Sequence, residues 1–498
     1  GHETTGTLSS ADYNTAVGLT ALDAITSGDK NTALGYGSLG ANTTGYNNTA
    51  IGHLAGLDIT EGYQNTLVGD RAGTNITTGD NNTAIGQNAM TAVTTQNRNT
   101  AVGMDALKVG TNDDCVAIGA FALTANSTGA DNTAVGSYAL TANTTGGSNV
   151  AVGFDALKSN TTGNRNIVLG NEAMDASDTE SDNMAIGHAA MTTNNAGGQE
   201  NIAIGNYALD ALTSGDENVG IGYAALGALT SGARNTALGK SAMASNSTGS
   251  NSTALGNIAL QQCLADENIG VGYAAGKSIT TGVRNLAIGN EAYDDSDTEN
   301  DNIAIGYQAM TTNTAGGNEN VAVGNYALDA LTSCDNNTAV GHNALTGCTT
   351  ANSNTAFGSG AGTDVITAQT GVYIGLNVNP GDGNTSNNAI VIGSDFTGSG
   401  NHFSFGKGGN VVSNQFTSNA SWSRSSDLHK KTNIESTDLG LSFINELRPV
   451  TFNWKPSNEF PKHYEDYRED ENLMETDINL YGMIAQEVKT ALDKVGHE

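Results

Sequence analysis

Proline and cysteine are scarce in this chain, and so are aromatic residues and positive charge. With 4 prolines and aromatics at 5% of 498 residues, the composition does not fit the several globular domains that length alone would suggest. The 4 cysteines, Cys115, Cys263, Cys334 and Cys348, form no CxxC pair and have no histidine at metal-ligand spacing. That argues against a disulfide or zinc framework and for thiols in a reduced compartment. Only 20 residues are Lys or Arg, with no run of them, against 51 Asp and Glu, for a net charge of −31. Nucleic acid is not an expected partner, because phosphate contacts need clustered cations. The acidic balance reads as solubility for a long exposed surface. No stretch of 18 residues is continuously apolar, so no membrane insertion is expected. No signal peptide is visible and the first residue is Gly1 rather than Met, which reads as a fragment of a longer chain. A hydrophobic fraction of 37% beside that charge would also fit disorder. Disorder, however, does not place apolar residues at fixed intervals, and this chain does.

What is abundant is a repeat. A pentapeptide of Asn, Thr or aliphatic, Ala, aliphatic, Gly recurs as Asn14–Gly18 (NTAVG), Asn31–Gly35 (NTALG) and Asn48–Gly52 (NTAIG). From Gly18 to Gly375 the closing glycines span 357 residues in 21 intervals averaging 17, with deviations only to 16 or 18. So short and constant a period predicts a mostly β fold, a parallel β-solenoid with one coil per repeat. At roughly 4.8 Å per coil the stack would be on the order of 100 Å long. NTAVG suits a short strand. Its fourth residue (Val17, Leu34, Ile51, Val68) is always large and apolar and is expected to point into the coil. Its third residue is almost always Ala, which would leave a small outer face, close-packed against other chains as a homo-oligomer. The following Ala-Leu pair (Ala21-Leu22, Ala139-Leu140) reads as a second core layer, the Thr-Thr-Gly segment as a turn whose glycine takes positive φ, and the first Asn as an axial ladder. A larger copy is visible too: Asn171–Gly187 matches Asn290–Gly306 at an offset of 119 residues, seven coils.

The NTAVG pattern, over about residues 10 to 395, resembles the repeats of trimeric YadA-like adhesin heads and of phage fibre proteins. The likeness speaks to architecture. The period fails after Gly393, and residues 396–425 read as a connector of short β-prone runs. The expected division is therefore a solenoid over 1–395, a connector over 396–425 and a small α+β domain over 426–498.

From Ser426 charged residues, Phe and Trp return. The motifs SDLHKKTNI (426–434), LRPVTFNWK (447–455) and YGMIAQEV (481–488) resemble, in order, the intramolecular chaperone of phage endosialidases and tail fibres, the peptidase S74 family. The resemblance implies a domain that trimerises, guides folding of the fibre before it and then cuts itself off between Ser426 and Asp427. It makes Ser426 the nucleophile and Lys431 the base, a single-turnover autoproteolysis and the one catalytic activity expected here. A serine hydroxyl needs such a base, and a lysine serves only if its pKa is lowered, for which Lys430 and His429 offer nearby positive charge. His429 stands where the family usually has Arg, and the family normally continues into a long helix beyond the position of Glu498.

Two acidic clusters, Asp178/Glu180/Asp182 and Asp297/Glu299/Asp301, alternate carboxylates at a spacing that can hold Ca²⁺ through oxygen ligands. They lack the glycine and distal glutamate of an EF-hand, so solvated turns are the preferred reading and no cofactor is expected. Taken together, these features point to a homotrimeric tail fibre of the virion, made in the host cytoplasm and joined to other tail proteins. Its partner would be a receptor on the bacterial surface, a glycan by preference, contacted by exposed residues that vary between coils, such as Tyr207, Tyr223 and Tyr326. The alternatives are a capsule-degrading tailspike, for which no carboxylate pair stands out, and a cellular trimeric adhesin.

Overall fold

The computed structural model describes residues 10–312, 316–381, 386–417, 441–462, 469 and 479–494. The chain forms two compact units, Gly1–Ala420 and Ser421–Glu498.

The first unit is the solenoid. Each coil contributes one three-residue strand, beginning with Thr15–Val17, Thr32–Leu34 and Thr49–Ile51. Successive strands pair in parallel and in register, Thr32 with Thr49, Ala33 with Ala50 and Leu34 with Ile51, to build a sheet of 25 strands among the described residues. Coil-to-coil bonding is not confined to the strands. On the other sides of one coil Leu22, Ala24 and Thr26 donate their N–H groups to Ser38, Gly40 and Thr43 of the next. Lys30 donates back to Asp12 of the coil before. Backbone polar groups are thus satisfied by the same atoms one repeat away, which is why the period tolerates so little drift.

The asparagine ladder is present. Asn31 and Asn48 donate their backbone N–H to Asn14 Oδ1 and Asn31 Oδ1 at 2.8 and 3.0 Å. The Asn48 amide nitrogen donates to the carbonyl of Gly62 in the next coil at 2.7 Å. A threonine ladder runs beside it, with Thr26 and Thr43 hydroxyls donating to the carbonyls of Thr43 and Thr60.

Two expectations about the coil are overturned. The third residue of the pentapeptide faces inward and the fourth outward: Ala33, Ala50 and Ala84 are fully buried, while Val17, Leu34 and Ile51 are exposed. The reason is cross-section. Leu22, Leu39 and their equivalents reach in from the corner after the strand and, with the asparagines, fill the coil, leaving room for only a methyl group on the facing strand. The exceptions prove the fit. Leu67 takes the alanine position, and a Cβ on Gly56 or Gly73 would lie 2.6 or 2.7 Å from its methyl carbons. Around Leu67, one wall grows and the other shrinks to glycine. Tyr373 likewise replaces alanine, and its ring occupies the space above Gly371, which stands where most coils have the ladder asparagine.

The second correction concerns the turn glycine. Gly45 in Thr-Thr-Gly is not among the positive-φ residues; Asn47, two residues later, is, at φ 56. Glycine is needed at 45 because a Cβ there would lie 2.3 Å from the Gly62 carbonyl oxygen of the next coil. Positive φ belongs instead to the closing glycine of the strand, as at Gly35 (φ 142).

The stretch expected as a connector joins the same sheet. His402–Lys407 pairs in parallel with Ile390–Ser394, and Asn410–Gln415 folds back antiparallel on it, so the parallel ladder ends on a hairpin. Residues 418–425 lie outside the described residues.

In the second unit, helix α1 (Leu441–Glu446) and helix α2 (Ala485–Lys494) accompany an antiparallel pair, Val450–Phe452 with Leu480–Gly482. Little apolar surface is covered among its described residues. Trp454, Tyr481 and Met483 are exposed, and Ala491 is the buried hydrophobic residue among those described.

Candidate functional sites

Ser426, Asp427 and Lys431, with His429 and Lys430 beside them, lie outside the described residues. What the structure does bring together is the other two C-terminal motifs. Thr451 of LRPVTFNWK pairs with Tyr481 of YGMIAQEV. Arg448 Nε donates to Glu487 Oε2 at 3.1 Å, and its Nη2 bonds the other oxygen. This fork holds the Glu487 carboxyl below its usual range and raises Arg448. Lys494 Nζ donates to Glu446 Oε2 at 2.7 Å and so ties α2 to α1. Motifs about 30 residues apart in the sequence thus form one small framework.

The two acidic clusters do not gather their carboxylates. Glu180 occupies the turn-glycine position and folds beneath its own loop, where it is buried rather than solvated. Its Oε2 accepts the N–H groups of Asp178 and Thr179 and the Ser177 hydroxyl, and its Oε1 accepts the Gly197 N–H at 2.9 Å. Glu299 repeats this with Asp297, Thr298 and Gly316. Each glutamate caps a loop and bonds to the next coil. Asp182 and Asp301 face the other way, in forked pairs with Arg165 and Arg284 of the preceding coil at 2.6 and 2.7 Å. These hydrogen bonds hold both aspartates below the ordinary carboxyl value. Among the described residues no group of three His, Cys, Asp or Glu side chains is placed to hold a metal ion.

All four cysteines are free and buried. Burial pushes Cys115 and Cys263 up. The Sγ atoms of Cys334 and Cys348, on adjacent coils, are 3.4 Å apart. Their hydrogen bond lowers Cys334 and, with burial, drives Cys348 far above the thiol range.

The tyrosines singled out from the sequence fall on one corner of the coil, one or two residues after the closing glycine. Tyr207 lies edge-on to both His188 and Tyr223, at 5.3 and 5.8 Å between centroids. Tyr326 lies edge-on to Tyr307 at 5.4 Å and to His342 at 6.0 Å. Phe121, Tyr138 and Phe154 form a third such group. Sequence reading missed the histidines and Tyr307 as members. Aligning the coils at their closing glycines would have found them, since aromatic residues recur at the two positions that follow. Beside Tyr326 opens a groove of about 500 Å³ lined by Asp329, Asn343, Thr346, Gly347 and Thr363.

Comparison with known proteins touches one end of the chain. Residues 426–497 match the family model described as chaperone of endosialidase, peptidase S74. The match supports a folding-chaperone role for this segment. No curated protein and no solved structure matches the chain.

Proposed function

We propose that the chain is a homotrimeric bacteriophage tail fibre whose solenoid contacts a receptor on the bacterial surface. Its C-terminal segment assists trimerisation and then cleaves itself between Ser426 and Asp427. The observation that carries this reading is the outward aliphatic ladder. Leu34, Ile85, Leu238 and Phe357, exposed at 47, 39, 49 and 60%, stand at the same strand position as an apolar residue in every coil. Their strands stack in parallel register, so the stripe is continuous along the sheet. An apolar surface that long on a chain with a net charge of −31 marks a protein interface. Matching repeats on further copies of the chain would cover it in register. The exposed Trp454, Tyr481 and Met483 fit the same need for partners in the segment that matches the chaperone family. Ser426 as nucleophile and Lys431 as base follow from the motif order.

The test is light scattering and intact-mass analysis of the chain extended beyond Glu498. Three chain masses are expected, with a fragment that ends at Ser426. Ile85→Asp, Ile118→Asp and Leu238→Asp together should give folded monomers. Ser426→Ala should leave an uncut trimer. A stable wild-type monomer would refute the fibre, and a trimer that stays whole would refute cleavage alone.

A further inference from the structure

The fibre reading leaves the receptor's chemistry open, and the groove beside Tyr326 narrows it. The groove follows one corner through three successive coils, because Tyr326 and Asn343 each lie two residues after a closing glycine, and Asp329, Thr346 and Thr363 each lie five after one. Its volume of about 500 Å³ is that of a small-ligand site. The wall is rigid: Tyr326 is held edge-on between Tyr307 and His342, and the Thr346 hydroxyl donates to the Tyr326 carbonyl at 3.1 Å. Asp329 is set by the Thr311 hydroxyl, which bonds its Oδ1. The Asn343 side-chain amide has no partner among the described residues. One aromatic face beside a carboxylate, an amide and two hydroxyls is a donor and acceptor set for a polyol with an apolar ring face.

Charge selects among such ligands. A second hollow of about 290 Å³ shares Asp329 and adds Glu291, Asp294 and Asp295. One cation, Lys277, pairs there with Asp294 at 3.4 Å. Four carboxylates against one ammonium give a negative field that repels sialic, uronic or phosphorylated sugars.

Resting on the fibre reading, we propose that this groove binds a neutral oligosaccharide, one sugar ring packed against Tyr326 and its hydroxyl groups donating to Asp329. A neighbouring groove of about 490 Å³ shares Gly347 and Thr363 with it, so the site lies near the C-terminal end of the solenoid.

Saturation-transfer NMR on the full chain tests this with three probes: maltotriose, chitotriose and 3′-sialyllactose. At least one neutral trisaccharide should receive saturation through its ring protons, and sialyllactose should receive none. Tyr326→Ala and Asp329→Asn should each weaken binding roughly ten-fold, the size expected for one aromatic contact or one charge-assisted hydrogen bond. Tyr46→Ala, in a stacked pair elsewhere, should leave it unchanged. Sialyllactose binding as well as the neutral sugars, no binding of either neutral sugar at millimolar concentration, or full binding by the Tyr326 and Asp329 variants would each overturn the assignment. Light scattering on the same samples separates the two readings. A trimer that binds no sugar sinks the groove and leaves the fibre, whereas a sugar-binding monomer sinks the fibre and leaves the groove.

Discussion

The two units solve the problem of a small core in opposite ways. In the solenoid a typical coil has little to bury, an alanine, a leucine and an asparagine, yet most of its backbone groups find partners one repeat away. Its stability is a sum of many equal neighbour terms. In the C-terminal unit, described residues such as Trp454, Tyr481, Met483 and Leu441 stay exposed, and ion pairs at the surface, Arg448–Glu487 and Lys494–Glu446, do much of the visible linking. Such solvent-exposed pairs contribute little, because water screens them and holding two long side chains in one geometry costs entropy. The lesson is that regular hydrogen bonding can replace a large core, whereas irregular structure of similar polarity needs company.

The sharpest way to break that comparison is to unfold both units at once. Both tryptophans, Trp422 and Trp454, lie in the unit Ser421–Glu498, so tryptophan fluorescence reports that unit alone while far-ultraviolet dichroism is dominated by the solenoid. In Ser426→Ala chain, fluorescence should change at much lower guanidinium than dichroism, and its midpoint should rise with protein concentration. A single transition seen by both probes would show that the units are not energetically distinct.

A smaller effect separates the two faces of one strand. Ala134 is enclosed between Leu123 and Leu140, all fully buried, with no glycine to yield as Gly56 and Gly73 yield to Leu67. Ala134→Leu should cost about 1–3 kcal/mol through overpacking. Its outward neighbour, Val135→Thr, should change coil stability by less than about 0.5 kcal/mol. Denaturant midpoints of the two variants decide the matter, and equal losses would contradict the inward alanine.

The smallest effect is one of pH. Arg165 and Arg284 lower the folded-state values of Asp182 and Asp301 from 3.8. Their contribution is therefore complete above that pH and fades as pH falls through the lower folded values. Burial raises Asp294 instead, which works against folding once that group ionises. Arg165→Gln with Arg284→Gln should leave stability at neutral pH almost unchanged and slightly flatten its decline below pH 3.8, as followed by thermal melts. A decline of unchanged slope would mean that these pairs carry no linkage.

The period, the coil count, the asparagine ladder and the change of character near Ser426 could all be read from the chain, because a 17-residue repeat exposes its rules by repetition. The inward or outward sense of the strand could not. Alternation along NTAVG says only that the third and fourth residues face opposite ways, and burial of the larger, more apolar residue is the default expectation. The structure decided otherwise through side chains from the far wall: Leu22 and Leu39 already occupy the interior, so the alanine fits inside and the valine or isoleucine must lie outside. The same holds for Glu180, whose place in sequence reads as a solvated turn and whose carboxylate is folded under it by amide donors, one of them Gly197 in the next coil. Repetition writes the spacing of such a protein into its sequence, but volume is shared between residues distant along the coil, and only folding settles which of them fills it.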